Sequence, residues 1–224
     1  MIPEQWEHFY KEICLDLGID PLADLESSRT LSSILGENSR IELLDRYRGD
    51  FFYIIGNGPD LPEALGYLGR GTTIVADSAL KAFLDTGKVP DIVVTDLDGG
   101  IMPLRRAYSM GSIMVIHSHG DNGELLKKYA HEFSGRAIGT TQNMPLDHIY
   151  NFFGFTDGDR GAYLADYLGA KGIFLVGFDF TRPGKKKNSA NARKMKKLRW
   201  AKVLLEELAM ERGTTLESGP LIPL

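Results

Sequence analysis

The stretch Asp91-Ile92-Val93-Val94-Thr95-Asp96-Leu97-Asp98-Gly99-Gly100 sets a short apolar run directly against two carboxylates and two glycines. A strand that is apolar on both faces has no solvent side, so it reads as an interior strand of a parallel sheet covered by helices. The pattern recurs outward in both directions. Apolar runs at Phe51–Ile55, Thr72–Ala76, Ile92–Val94, Ile113–Ile116, Arg136–Gly139 and Gly172–Val176 alternate with stretches suited to helices, at about 61–68, 78–86, 100–110, 121–133 and 158–169. Strands and helices in alternation make a doubly wound α/β domain with a mostly parallel sheet and helices on both faces. It is expected over residues 49–224. A last helix from about 190 to 212 closes it, basic at first and then amphipathic through Leu198, Val203, Leu204 and Leu208.

Residues 1–48 read as a helical preface. Trp6, Phe9, Tyr10, Ile13 and Leu17 recur at three-to-four spacing, which makes an amphipathic stripe. Asp20-Pro21 restarts a helix, because aspartate caps and proline suits the first turn. Ile41, Leu43, Leu44 and Tyr47 mark a third helical stretch, ended by Gly49.

The 224 residues are 43% apolar and 25% charged, a mixture that excludes a disordered chain, a collagen-like fibre and a disulfide mini-protein. Cys14 is the one cysteine, so no intrachain disulfide and no cysteine-rich zinc site can form. Met1-Ile2-Pro3-Glu4-Gln5 lacks the basic-then-apolar layout of a signal peptide. No apolar run approaches the roughly 20 residues that cross a bilayer. A cytoplasmic protein without a membrane partner is expected. The net charge of −4 hides a segment, 182–199, with nine basic residues and no acidic one. It suits either a site for a polyanion or a solvated helix face.

Ligands of open parallel sheets bind beyond the carboxyl ends of the strands, and there this chain is unusually polar. The runs end in Gly56-Asn57-Gly58-Pro59, Asp77-Ser78, Thr95-Asp96-Leu97-Asp98-Gly99-Gly100, His117-Ser118-His119-Gly120-Asp121-Asn122, Thr140-Thr141-Gln142 and Gly177-Phe178-Asp179-Phe180. Asp96 and Asp98, two residues apart at a strand end, can point the same way. Crowded carboxylates repel, and a hard divalent cation such as Mg²⁺, which takes carboxylates together with substrate phosphates, relieves them. Asp77 and Asp121 on flanking loops would complete the cage. Gly56, Asn57 and Gly58 can offer backbone N–H groups to a phosphate, although they form neither a Walker A loop nor a dinucleotide fingerprint. His117 and His119 lack a third zinc ligand at suitable spacing and read as loop residues. His8, His131 and His148 read as ordinary surface or core residues.

Two other motif families fit poorly. The Asp-x-Asp-Gly of haloacid-dehalogenase-type phosphatases usually follows the first strand, whereas two strand–helix units precede Asp96 here. The His-x-His of metal amidohydrolases belongs to a longer barrel with supporting histidines.

Taken in order, Gly56-Asn57-Gly58-Pro59, Ala76-Asp77-Ser78-Ala79, Pro90 to Gly99, His117 to Asn122, Gly139-Thr140-Thr141-Gln142, Gly154 to Arg160 and Gly177-Phe178-Asp179-Phe180 resemble the archaeal 6-hydroxymethyl-7,8-dihydropterin pyrophosphokinases of the MptE-like type. The resemblance covers about residues 51–205. That family is similar in turn to thiamine pyrophosphokinases. The resemblance implies Mg²⁺-dependent transfer of diphosphate from ATP to the pterin hydroxymethyl group, with release of AMP, in tetrahydromethanopterin or folate synthesis. It implies that Asp77, Asp96, Asp98 and Asp121 hold the metal. Gly56, Asn57, Gly58, Asp77 and Ser78 would lie on the nucleotide side, and Arg160 would contact phosphate. Ser78, Ser118 and Thr181 depart from the residues the family often has, and Lys185-Lys186-Lys187 follows only after Pro183-Gly184.

Within this reading, Asp121 or His119 accepts the proton of the attacking hydroxyl, and the segment 182–199 folds over the polyphosphate. Gln142, Asn143, Phe155 and Asp157 are the candidates for the pterin. The partners are then two small molecules, with the helical preface either covering the site or forming a homodimer contact. The rival readings are a related diphosphokinase acting on another alcohol such as thiamine, a non-catalytic nucleotide-binding module, and an RNA-binding protein using the basic tail. The last leaves the acidic cluster unexplained.

Overall fold

The computed structural model describes residues 1–182 and 191–224. Lys185, Lys186 and Lys187 lie outside the described residues. The preface supplies α1 (Pro3–Leu17) and α2 (Pro21–Leu35), and β1 (Phe51–Ile55) opens the alternating part. There follow α3 (Leu61–Ala64), β2 (Thr72–Ala76), α4 (Asp77–Asp85), β3 (Ile92–Thr95), α5 (Ile101–Ser109), β4 (Ile113–Ser118), α6 (Gly123–Tyr129), β5 (Ala137–Thr141) and β6 (Ile149–Tyr150). The chain ends with α7 (Asp157–Tyr167), β7 (Gly172–Val176), α8 (Asn191–Glu211) and β8 (Leu221–Pro223).

Among the described residues, eight strands form one sheet in the order β6-β5-β4-β3-β2-β1-β7-β8. All neighbours are parallel except β7 and β8. Side chains alternate between two cores, as a period of two requires. Phe52 and Ile54 face one core with α1, α7 and α8, and Tyr53 and Ile55 face the other with α2, α4, α5 and α6. The sheet is thus buried on both sides, as the apolar runs demand. No helix among the described residues is long and apolar enough to cross a membrane.

Four details differ from the sequence reading. The helical stretch Ile41–Tyr47 is a 3₁₀-helix, with Leu44 and Tyr47, three residues apart, as its buried positions. The helix expected at 61–68 is a single α-turn continued by 3₁₀ residues Leu65–Tyr67. The one expected at 121–133 ends at Tyr129 and continues as 3₁₀ to Arg136. Both edge strands, β6 and β8, were not expected, being two and three residues long.

The topology places the site. From β1 the chain winds to β6 in one direction, then returns to the opposite side of β1 for β7. The crevice where the order reverses lies at the carboxyl ends of β1 and β7. There the loops after the two strands touch: Gly58 N–H donates to the Gly177 carbonyl at 2.7 Å. A Cβ at Gly58 would lie 2.6 Å from that oxygen, so a side chain cannot be accommodated. The preface helices divide between the faces, with Trp6, Tyr10 and Ile13 of α1 in one core and Leu31 and Leu35 of α2 in the other.

The antiparallel edge strand offers a test of this packing. Ile222 is buried and pairs with Leu175 of β7. Ile222→Ala should lower the unfolding free energy by about 2–4 kcal/mol in urea denaturation, whereas Leu15→Ala, at an exposed position, should change it by no more than about 0.5 kcal/mol.

Candidate active site

β2 ends at Ala76, so Asp77 enters the first turn of α4 with its side chain beneath the end of β3. It is 4% exposed. Its Oδ2 accepts from Thr95 Oγ1 and, at 3.2 Å, from Gly99 N–H, while its buried Oδ1 has no hydrogen-bond partner. A Cβ at Gly99 would lie 2.1 Å from that Oδ1, so only glycine lets the backbone come this close. Asp77, Asp96 and Asp98 each offer a carboxylate oxygen within 4.8 Å of the others.

Strand alternation does not bring Asp96 and Asp98 together, since β3 ends at Thr95. Leu97 does so by adopting a left-handed conformation, φ 68°. That conformation disfavours a residue with a Cβ by roughly 1–2 kcal/mol. Two features offset it: Leu97 buries its side chain among apolar neighbours, and its N–H donates to Thr95 Oγ1 at 2.8 Å. Thr95 therefore serves both Asp77 and the turn.

Burial, reinforced by the charges of Asp96 and Asp98, pushes the Asp77 carboxyl up to about 6 despite its hydrogen bonds. Burial acts the same way on Asp96, but the hydrogen bond from His119 outweighs it, and Asp96 is held below the usual carboxylate range. Asp157 is raised well above that range by burial and then by the Asp96 charge, against the pull of Arg160. A crowded set of hard oxygens that includes an unpartnered buried one fits a divalent cation such as Mg²⁺.

The loop after β4 flanks this triad. Asn122 Nδ2 donates to the carbonyls of Asp96 (2.9 Å) and His117 (2.7 Å), and Asn122 Oδ1 accepts from His119 N–H at 3.0 Å. His119 Nδ1 accepts from Asp121 N–H, which leaves the proton on Nε2, 3.2 Å from Asp96 Oδ2. Asp121 is not brought into the triad. Its side chain, 78% exposed, lies on the rim 3.5 Å from Arg193. His117 is fully buried, with Nδ1 3.1 Å from Thr140 Oγ1, and lines a small space behind the site.

Asp96 and Asp98 line a cleft of about 600 Å³ whose lining also includes the basic Arg160, Arg182, Arg193 and Lys197, whereas Asp77 lies buried beneath it. Arg160, in the first turn of α7 and 8% exposed, donates to Gln142 Oε1 at 2.9 Å and lies 3.7 Å from Asp157. The α7 turn is fixed by Asp159, which accepts from Phe155 N–H and Thr156 N–H. Arg182 is anchored to Asp60 and Asp179, at 2.6 Å each. The basic part of α8 divides. Lys196 and Arg199 pair with Asp16 of α1, at 2.7 and 2.9 Å, while Arg193, Lys194 and Lys197 line the cleft.

Gly56, Asn57, Gly58, Ser78, Gln142, Phe155 and Asp157 also line it, but Asn143 does not. Asn143 Nδ2 donates instead to the Pro21 carbonyl at 2.8 Å and ties α2 to the loop after β5. Sequence reasoning missed Phe178, whose ring fills the space above Gly56 and Gly158; a Cβ on either glycine would meet it at 2.9 Å. It also missed Thr95, Asn122 and Asp24. A signal for Asp24 did exist: Asp24, Ser27, Ser28, Leu31 and Leu35 are all buried on α2, at the three-to-four spacing of one helix face.

The raised Asp77 carboxyl carries a stability consequence. Its folded value of about 6 exceeds the ordinary 3.8, so ionisation favours the unfolded chain. Stability present below about pH 4 is lost as the pH rises through 6. With chelator present at pH 8, Asp77→Asn should therefore be more stable than the parent chain by about 2–3 kcal/mol. The gain should vanish towards pH 4 in thermal melts.

The model of the family described as 6-hydroxymethylpterin diphosphokinase MptE-like matches residues 29–185. The chain is 43% identical over 218 residues to the 6-hydroxymethyl-7,8-dihydropterin pyrophosphokinase of Pyrococcus furiosus, covering 92% of this chain and 93% of that one. It is 38% identical over 229 residues to the protein of the same name from Methanocaldococcus jannaschii, covering 92% and 95%. The corresponding figures for Methanothermobacter thermautotrophicus are 40% over 181 residues, 78% and 77%. By this match and these identities, the chain belongs to the MptE-like 6-hydroxymethylpterin diphosphokinase family.

Proposed function

We propose that this chain transfers diphosphate from ATP to the hydroxymethyl group of 6-hydroxymethyl-7,8-dihydropterin, releasing AMP, in the cytoplasm and in the service of folate or tetrahydromethanopterin synthesis. The observation that carries the reading is the juxtaposition of charge. Asp96 and Asp98, backed by the buried Asp77, give the cleft an acidic wall, and Arg160, Arg182, Arg193 and Lys197 give it a basic one. A polyphosphate that brings its own counter-cation needs both walls, whereas a polyanion such as RNA would be repelled by the acidic one. The names of the relatives support the pterin as acceptor.

In this reaction the hydroxyl oxygen attacks the β-phosphorus, and the bond from that phosphorus to the oxygen bridging the α-phosphate breaks. Such transfers ask for positioning and charge neutralisation more than for covalent help. Mg²⁺ held by Asp77, Asp96 and Asp98 would neutralise charge on the transferring phosphates. The Gly56–Gly58 turn and Ser78 line the nucleotide side of the cleft. The N–H groups of Gly56 and Gly58 donate to the Val176 and Gly177 carbonyls, so the turn's part is close approach of its backbone to the phosphates and not the donation of all three N–H groups expected from the sequence. Arg160 is clamped by Gln142, so its guanidinium meets the polyphosphate without a large ordering cost. Phe155 supplies an apolar wall for the pterin ring and Asp157 a polar group at its edge, while both ends of the Gln142 amide are engaged by Asp24 and Arg160. Between the two candidates for accepting the hydroxyl proton we favour Asp121. Its carboxylate is exposed on the rim beside Arg193, whereas the His119 lone pair is already turned to Asp121 N–H.

The test incubates the protein with ATP, Mg²⁺ and 6-hydroxymethyl-7,8-dihydropterin and follows nucleotides by chromatography, with thiamine in parallel. AMP should form with the pterin, and Asp96→Asn should lower the rate by about 100-fold or more. ADP would mean γ-phosphate transfer and would refute the reading. AMP with thiamine alone would replace the acceptor. No turnover with either would favour a nucleotide-binding module.

A further inference from the structure

We infer that Asp24, on the second helix of the preface, is a positioning residue for the transfer: its carboxylate fixes the orientation of the Gln142 amide, and through it the Arg160 guanidinium. The inference rests on the diphosphokinase reading and extends it to a residue outside the span 29–185 matched by the family model.

Asp24 is 1% exposed, and all three groups that bond its carboxylate are donors. Gly120 N–H donates to Oδ1 at 2.7 Å; Tyr10 Oη–H and Gln142 Nε2 donate to Oδ2, each at 2.6 Å. With Nε2 committed to Asp24, the Gln142 Oε1 turns to Arg160 Nη2, which donates to it at 2.9 Å. The relay therefore has one polarity: acceptor at Asp24, donor then acceptor across the Gln142 amide, donor at Arg160. The same carboxylate holds Gly120, next to the His119 that bonds Asp96. Neighbouring contacts keep the relay in place. Trp6 Nε1 donates to the Gln142 carbonyl at 2.8 Å, and Ser28 Oγ donates to Thr141 Oγ1 at 2.8 Å. Residues of the preface thus grip both the backbone and the side chain of Gln142.

Asparagine is close to isosteric with aspartate, yet it cannot serve here. Its amide nitrogen would face either Gly120 N–H or Gln142 Nε2, donor against donor. Were Gln142 to flip in answer, its own NH₂ would confront the Arg160 guanidinium. A buried donor left unsatisfied or opposed is heavily penalised. Exchanging the two side-chain types restores the pattern. In the double variant Asp24→Asn, Gln142→Glu, the introduced amide would donate to the introduced carboxylate, which still accepts from Arg160. The oxygen of that amide still accepts from Gly120, the Tyr10 hydroxyl can rotate to accept, and the formal charge of the pair is unchanged.

The experiment measures kcat at saturating ATP and pterin, with melting temperatures alongside, for the parent chain, Asp24→Asn, Gln142→Glu and the double variant. Each single variant should lose about tenfold or more in kcat, and the double should return to within about threefold of the parent, a non-additivity expected only of groups in direct register. Should a single variant fail to fold, a folded and active double variant still meets the expectation. A folded double variant whose loss is the product of the single losses would overturn the inference, as would single variants that keep kcat within about twofold. A parent chain that forms no AMP would instead refute the diphosphokinase reading, and this role with it.

Discussion

Asp77, Asp96 and Asp98 bring carboxylate oxygens within 4.8 Å of one another at the end of an apolar strand, and most of the molecule near the crevice serves to hold them there. At that separation, and an effective dielectric of about 20, two ionised carboxylates repel by about 3–4 kcal/mol. The fold does not relax this crowding; it enforces it. Thr95 and Gly99 bond one oxygen of Asp77 and leave the other buried and unpartnered. Leu97 holds a left-handed turn by burying its side chain. Local departures from the favoured conformation that persist only because their surroundings over-determine them are a common signature of working sites.

The response to this concentration of negative charge is spatial. Asp96 is compensated by His119 directly, while cations on α7, α8 and the loop after β7 line the same cleft. Arg160, Arg182 and Arg193 lean on Asp157, Asp179 and Asp121, which fixes them on the cleft lining where a ligand can reach them. Lys196 and Arg199 illustrate the other case, since they pair with Asp16 and fasten α8 to α1. One basic helix therefore does two things: part of it joins structural elements and part of it faces the site. The preface shares in this positioning. It contributes Asp24, Ser28 and Trp6 to the ends of β4 and β5 and splits its helices between the two cores.

The strands β1, β2 and β7 were legible to the residue because burial on both faces leaves an uninterrupted apolar run, and polar residues begin where each strand stops. β6 and β8 were not, because two or three residues at a sheet edge carry no periodicity to read. The carboxylate pair was legible as a pair, but not the cause of its geometry. A backbone torsion at Leu97 is a tertiary compromise that no local preference of leucine announces. Asp121 has the composition of a metal ligand and sits beside the loop that flanks the triad, yet its turn carries it outward to Arg193. Asn143, adjacent to Gln142 in sequence, faces α2 rather than the cleft because consecutive residues beyond a strand end need not share a direction. Asp24 shows the converse. A buried carboxylate on a helix reads as solvent-facing until its spacing to Ser27, Ser28 and Leu31 is counted, and even then its partners Gly120 and Gln142 lie far away in the chain.

The central claim is that the three crowded carboxylates form one divalent-cation site. Equilibrium binding of Mn²⁺, followed by electron paramagnetic resonance of the free ion, tests it without reference to turnover. The account predicts saturable binding to the parent chain that is competed by Mg²⁺ and lost in both Asp77→Asn and Asp98→Asn, with Asp121→Asn affecting it far less. Binding that is indifferent to Asp77 and Asp98, or absent from the parent chain with and without ATP, would contradict it.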